Sequence, residues 1–471
     1  MKVAPAADVV QPMKLGLVGA DVQVPLVTGE LRRYVNLDYA ASAPSLSTVW
    51  DAVQAFMPWY SSVHRGAGFK SVVSTSVYEG AREAVRSFVG APRDDAIVFT
   101  RNTTDAINLL ASALLPEDVV LVSDIEHHAN LLPWRRVNRR VFHVPNDPEH
   151  LVGEIERSLG MSPAPVRLVA VTGASNVTGE LWPLPEIARV AHAHGARLMV
   201  DAAQLAPHSP IDMVAQGIDY LAMSGHKLYA PFGAGTLVGP PDWLSVSEPY
   251  LAGGGAVDFV TLDDVLWKMP PDREEAGSPN VVGAAAMGEA CRALKAHDMQ
   301  KAAEHEAALY AHARERLLEI PGVELYTLWP LPHPHIGVLT FGVRGYHHSL
   351  IASILSAEFG IGVRHGCFCA HPLMVRLLHV ERAEADRIRH DFREGGRPEL
   401  PGAIRMSFGL GTTEQDVDAC ADALRLIVTN GPAWTYRQDP TSGEYVPDPD
   451  PRPWPEIPFM TERDAATGES S

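Results

Sequence analysis

Short apolar runs recur along the first two thirds of this 471-residue chain, and each ends in a cluster of polar side chains. Ile97-Val98-Phe99 leads into Arg101-Asn102-Thr103-Thr104-Asp105, and Val119-Val120-Leu121-Val122 into Glu126-His127-His128-Ala129-Asn130. Leu168-Val169-Ala170-Val171 leads into Ser175-Asn176, and Leu198-Met199-Val200 into Asp201-Ala202-Ala203-Gln204. Ile218-Asp219-Tyr220-Leu221-Ala222-Met223 leads into Ser224-Gly225-His226-Lys227. Strands are expected at 97–100, 119–122, 166–171, 197–200 and 218–223, with helices at 77–89, 105–114 and 185–194. Such alternation builds an α/β domain with a mostly parallel sheet flanked by helices. Open α/β sheets hold their ligands beyond the C-terminal ends of the strands, where these polar clusters fall.

The rest of the chain divides by pattern. Residues 1–34 read as an N-terminal arm with little pattern, and 35–300 as the large domain. Residues 301–430 read as a smaller α+β domain, with helices at 302–318, 349–359 and 414–428 and strands at 323–326, 336–341, 361–364 and 403–408. The charged stretch 381–399 is expected to be a solvated helix and loop. The tail, 431–471, is rich in Pro and acid and buries little apolar surface by itself. Trp434, Tyr436, Tyr445, Trp454 and Phe459 are its aromatic anchors.

A hydrophobic content of 46% suffices for a large core in two or three domains. The net charge of -18 argues against nucleic acid, whose phosphates need basic patches. No run approaches the roughly 20 apolar residues that span a membrane. Residues 1–10 lack the form of a secretory signal. Four cysteines make no disulfide framework, and the expected location is cytoplasmic. No metal site is expected.

Ser224-Gly225-His226-Lys227 precedes a glycine-rich turn, Gly233-Ala234-Gly235. With Asp201 it supplies what a pyridoxal phosphate enzyme requires. A lysine forms a Schiff base, a carboxylate pairs with the pyridinium nitrogen, and small polar groups hold the phosphate. Thr103 and Thr104 read equally as the N-cap of the helix at 105. The two readings agree, because a capped helix N-terminus attracts anions. His127 alone would read as a surface or capping histidine. Arg405, set among Ile404, Met406 and Phe408, needs a partner or a ligand.

Over roughly 34–428 the chain resembles the class V aminotransferase superfamily, specifically the Suf-type cysteine desulfurases and selenocysteine lyases. The resemblance rests on Leu37-Asp38-Tyr39-Ala40-Ala41-Ser42-Ala43, Val63-His64-Arg65-Gly66, the His127, Asn176, Asp201 and Lys227 clusters above, and Ala276-Gly277-Ser278-Pro279-Asn280. It implies the PLP-dependent transferase fold type I. It implies that Lys227 carries the cofactor and moves protons, His127 stacks on its ring, Asp201 pairs with the ring nitrogen and Gln204 contacts the ring hydroxyl. Thr103, Thr104, Ser224 and His226 would hold the phosphate. Ser278 would reach the other subunit's phosphate site, which implies a homodimer. Asn176, Arg405, Arg364 and His64 would bind the substrate, and Arg suits a carboxylate because its planar fork binds bidentately.

Arg364-His365-Gly366-Cys367-Phe368-Cys369-Ala370-His371-Pro372 stands where the desulfurases carry their nucleophile, and Cys369 occupies its position. The resemblance implies that the Cys369 thiolate attacks the sulfur of L-cysteine, keeps it as a persulfide, releases alanine and passes the sulfur to an acceptor. Arg364, His365 and His371 are the neighbours placed to favour the thiolate. Cys367 departs from the Suf-type pattern, which has histidine there, and resembles the loop of molybdenum cofactor sulfurases. It is either a second sulfur-handling thiol or inert. The longer stretch between Cys369 and Arg405 and the tail also depart from the family. The alternative is a C–S lyase, epimerase or aminotransferase of the same fold in a specialised pathway; a non-catalytic scaffold is the third reading.

Overall fold

The computed structural model describes residues 15–458 apart from 397 and 399. The start of the arm, Glu399 of the charged stretch, and Phe459 with the end of the tail lie outside the described residues. The central sheet has seven strands: β1 (Ala96–Thr100), β2 (Val119–Ser123), β3 (Asn138–Phe142), β4 (Val166–Thr172), β5 (Arg197–Asp201), β6 (Tyr220–Ser224) and β7 (Gly235–Gly239). Their spatial order is β1-β7-β6-β5-β4-β2-β3. Every pairing is parallel except those of β7, which runs against both β1 and β6.

Burial on both faces explains the unbroken apolar runs. Val119 and Leu121 of β2 join one hydrophobic cluster, and Val120 and Val122 join another. In β4, Val169 and Val171 alternate with Leu168 and Ala170 in the same way. Successive side chains point to opposite faces, so both faces are covered and neither can be polar. β3 and β7 were not legible from the sequence. β3 is an edge strand that carries Asn138, Arg139 and Arg140, a composition that suits an unpaired edge. β7 is bounded by glycines that read as turn. Gly235 is required there, because a Cβ would come within 2.5 Å of the Asn102 backbone.

Helix α1 (Phe69–Val89) starts eight residues before the expected 77. Its first turns are rich in hydroxyls and lack an apolar stripe. They are held from outside: Ser71 Oγ donates to the Ser62 carbonyl (2.7 Å), and Ser74 Oγ accepts from Ser61 N–H (2.8 Å). Helix α2 (Thr103–Ser112) has Asn102 as its N-cap, its side chain accepting the Asp105 N–H at 3.0 Å. The capping role weighed for Thr103 and Thr104 thus falls to Asn102.

A second sheet, antiparallel, has the order β8-β9-β11-β10, from β8 (Val323–Tyr326), β9 (Val338–Val343), β10 (Arg364–Gly366) and β11 (Ala403–Ser407). Helices α3 (Met299–Leu318), α4 (His348–Phe359) and α5 (Glu414–Asn430) share its core. The strand expected at 361–364 is two strands, because each side of Val363 finds a different partner. Ile361–Gly362 pairs with Val35–Asn36, and β10 pairs with β11. The described part of the arm is also not patternless: Gln23–Pro25 and Leu31–Arg33 form a hairpin, and Leu26 and Val27 are buried. Within the charged stretch, Arg382–Arg393 is a helix with no buried residue, as expected. The tail forms a hairpin from Tyr436–Gln438 and Tyr445–Pro447. Among the described residues no helix is long and apolar enough to cross a membrane.

One buried ion pair braces α1 against the loop before Ser278. Arg82 meets Glu275 in a fork (2.9 and 3.1 Å), and Glu275 also accepts from Tyr78 Oη (2.7 Å) and Phe99 N–H (2.7 Å). Both side chains are nearly buried. Glu275→Ala would leave Arg82 with the partly exposed Glu79 (3.0 Å) and unpair Tyr78 Oη and the Phe99 N–H, so it should cost about 1–3 kcal/mol. Equilibrium denaturation checks this, and unchanged stability would rule out the bracing role.

Candidate active site

The C-terminal ends of the parallel strands meet the second sheet around a cavity of about 270 Å³. All but two of the candidate residues line it: Thr103, Thr104, His127, Asn176, Asp201, Gln204, Ser224, His226, Lys227, Arg364, Cys369 and Arg405. Most arrive by a strand end or the turn that follows; Thr103 and Thr104 open helix α2, and Arg405 stands in the middle of β11. Lys227 stands in the turn after β6, where Gly225 lets the chain fold back: Gly225 N–H donates to Ala234 O at 2.7 Å. A Cβ at Gly225 would sit 2.9 Å from that oxygen, closer than side-chain carbons approach.

The electrostatics follow from exclusion of water. Burial pulls the Lys227 amine down to about 8, with the Asp201 charge opposing. Burial raises the Asp201 carboxyl, against the Ala203 N–H (3.0 Å) and the Lys227 charge. His127 is driven down to about 3, chiefly by burial and then by Lys227, so its ring is neutral near pH 7. Its Nδ1 accepts the Ala129 N–H at 3.1 Å. At the other end, Ser224 Oγ lies 2.7 Å from Thr103 Oγ1 and accepts the Thr103 N–H at 2.8 Å. These hydroxyls sit at the N-terminus of α2, whose dipole favours an anion.

Arg405 is buried in β11 and held on three sides. Its Nη1 donates to Asn176 O (2.8 Å), its Nη2 to Asp38 Oδ1 (3.1 Å), and its guanidinium lies over the Phe368 ring at 5.1 Å. Its Nε has no partner, and neither does the buried Oε1 of Gln204, whose Nε2 donates to Ala40 O at 2.7 Å. Buried polar atoms are costly when unpaired, and both residues line the cavity, where a ligand could pair them.

The cysteine loop is a strained turn pinned by its neighbours. Phe368 and Cys369 both have φ of 53°, and Ala370 N–H donates to Cys367 O at 2.9 Å. Asn176 Nδ2 donates to Phe368 O (2.9 Å), and His128 N–H to Cys369 O (2.8 Å). Left-handed conformations at non-glycine residues cost about 1–3 kcal/mol each. Cys369 is exposed on the cavity rim, whereas Cys367 is half-buried and does not line the cavity. His371 stacks on His128 (centroids 4.9 Å apart) beside this turn. Two supporting residues escaped the sequence reading. Asp38 sits in a quoted motif, but nothing in sequence ties it to Arg405. Glu126, fully buried, is pushed up to about 8 by burial and binds Ser123, Asn130 and the Thr172 N–H behind His127.

His64 and Ser278 are not brought to Lys227 within one chain. They line a separate cavity of about 400 Å³, with Gly254, Gly255 and Lys268.

Residues 35–420 match the family model described as aminotransferase class-V. The chain is 35% identical over 402 residues to a probable cysteine desulfurase of Halalkalibacterium halodurans, covering 83% of this chain and 92% of the relative. It is 38% identical over 353 residues to a cysteine desulfurase of Dickeya dadantii, covering 72% and 84%. A solved cysteine desulfurase from Escherichia coli, in its S-sulfonic acid form, superposes with a TM-score of 0.70 at 34% identity, covering 83% and 94%. The apo cysteine desulfurase from Thermococcus onnurineus superposes with a TM-score of 0.74 at 29% identity, covering 84% and 95%. These likenesses bear out the fold type I architecture expected from the sequence.

Proposed function

The chain belongs to the aminotransferase class-V family, and from that premise we propose that it is a cysteine desulfurase that converts L-cysteine to L-alanine and keeps the sulfur as a persulfide on Cys369. One observation carries this reading: an exposed thiol stands on the rim of the cavity that also contains Lys227, Asp201 and Arg405. Elimination, epimerisation and amino transfer do not require that thiol, so its presence argues against those alternatives.

The family depends on pyridoxal phosphate, and the residues of this cavity fit it. Gln204 Oε1 is an orphaned acceptor for a ring hydroxyl. Asp201 is a buried carboxylate in want of a cation, suited to a ring nitrogen. The neutral His127 ring is suited to lie against the pyridine. Thr103, Thr104, Ser224 and His226, at the positive end of α2, would hold the phosphate. Bound there, the cofactor would supply an electron sink that makes the Cα proton of a linked amino acid acidic.

The chain's own residues do the rest. Lys227, with its amine near 8, can take the Cα proton close to neutral pH. Arg405, with Arg364 and the Asn176 amide, grips the substrate carboxylate. The Cys369 thiolate attacks the substrate sulfur: an S–S bond forms, the Cβ–S bond breaks, and Cβ gains a proton before alanine leaves. The persulfide then passes to a thiol of an acceptor protein. Asn176 and His128 fix the turn that aims Cys369. A reducing compartment, the cytoplasm, is part of this reading, because Cys369 must return as a free thiol.

The homodimer belongs to the proposal as well. His64 and Ser278 line a cavity separate from that of Lys227, with Gly254, Gly255 and Lys268 next to the hairpin Val257–Val260 and Val265–Trp267. That hairpin exposes Phe259, Val260, Leu262 and Leu266, an apolar face that a second copy would cover.

With L-cysteine and a reductant, alanine and sulfide should appear one to one. Pyruvate in place of alanine would overturn the assignment. Arg405→Lys keeps the charge but loses the fork. It should raise KM for L-cysteine about 10- to 100-fold, which steady-state kinetics checks.

A further inference from the structure

We propose that Glu444, in the C-terminal hairpin, is a positioning residue for the substrate grip: it clamps His365 and so keeps β10 seated with Arg364 beside Arg405. The proposal rests on the reading of Arg364 and Arg405 as the carboxylate grip.

The strand that carries Arg364 is weakly held by its own sheet. β10 is three residues long and lies at the sheet edge, so β11 is its one strand partner. Arg364 stands opposite Arg405 in that pairing, and two like charges side by side push the strand outward. Beyond Gly366 the chain enters the turn that holds Cys369. Asn176 and His128 pin that turn separately, so a small displacement of β10 moves the grip and leaves the nucleophile in place.

His348 of α4 lies against His365 (Nδ1 to Nδ1 3.3 Å), and the tail adds a second restraint. Glu444 accepts the Ser349 hydroxyl at 2.6 Å and contacts His365 Nε2 at 3.1 Å. Tyr445 N–H donates to the same hydroxyl at 2.9 Å, and the Tyr445 ring lies 5.5 Å from that of His347. The hairpin's other end is tied to the far end of α4. There Glu358 accepts from Ala433 N–H (3.0 Å), Trp434 N–H (3.1 Å) and Tyr436 Oη (2.9 Å). The hairpin thus spans α4 and delivers one carboxylate to the outer face of β10. The hairpin lies beyond residue 420, where the family match ends, whereas its partners Ser349, Glu358 and His365 lie within the matched body.

The test compares wild type, Glu444→Ala, Arg364→Ala and the double variant, in full-length holoenzyme with L-cysteine. Glu444→Ala should raise KM about three- to tenfold, the scale of one lost hydrogen bond, with kcat within about twofold. In the Arg364→Ala background it should add nothing, because the clamp acts through that arginine. Hydrogen exchange over residues 364–369 should quicken in Glu444→Ala. Glu444→Gln, which keeps the shape and the Ser349 bond, should show the same trend at smaller size and covers the case that the alanine variant folds poorly. Additive KM effects, a loss confined to kcat, or unchanged exchange at 364–369 would overturn the clamp. An unchanged KM in Arg364→Ala alone would instead overturn the carboxylate assignment.

Discussion

Cys369→Ala should cut alanine formation from L-cysteine by about 10³-fold or more, the scale on which a lost covalent nucleophile is felt. The variant should still bind pyridoxal phosphate, because Cys369 is exposed at the rim and is not among the groups fitted to the cofactor. Cys367→Ala should retain most of the activity: it is half-buried and packs toward the core rather than lining the cavity. Alanine assays on the three proteins side by side decide the matter. Equal activity in wild type and Cys369→Ala would mean direct lyase chemistry and sink the persulfide route. Loss in Cys367→Ala would transfer the role to the other thiol.

Lys227→Ala should be the other near-complete loss, about 10⁴-fold, and should remove the covalent attachment of the cofactor, read as loss of the protein's visible absorbance after gel filtration. The pH dependence of reloading tests the same residue. Only the free amine is a nucleophile, and burial brings that amine to about 8. The rate at which cofactor-free enzyme reloads should therefore rise from pH 7 through 8 and level off above 9. A flat profile would mean that the amine titrates elsewhere. His127, held neutral down to about 3, should contribute no step in the range 5–9.

The parts of the fold that were legible are those whose local physics is one-sided. β2, β4, β5 and β6 are buried on both faces, so their apolar runs stand out. β3 hid behind the arginines of an edge strand, and β7 behind its bounding glycines. The start of α1 depends on hydroxyls bonding to residues 61 and 62, which a helical periodicity does not register. Among site residues, Lys227, Asp201 and Ser224 were recognisable because their chemistry is written within a few positions of a strand end. Asp38 was not, since its meaning comes from Arg405, 367 positions away. The tail's composition spoke for a solvated segment, and its aromatic anchors do hold in part, with Tyr436 on Glu358 and Trp454 left exposed.

The amino-acid sequence by itself determined the layered α/β body and the strand-end placement of the candidate lysine and carboxylate, while the candidate thiol was marked by the family resemblance. It could do so because strand periodicity and βα turns are set by neighbours a few residues apart. Only the tertiary structure decided that Asn176 and His128 aim the cysteine turn, that Arg405 is shared between Asp38 and the cavity, that His64 and Ser278 line a cavity apart from that of Lys227, and that Glu444 reaches β10. Those are contacts across two sheets and a returning tail, and their strength depends on burial and distance, which exist only once the chain has closed on itself.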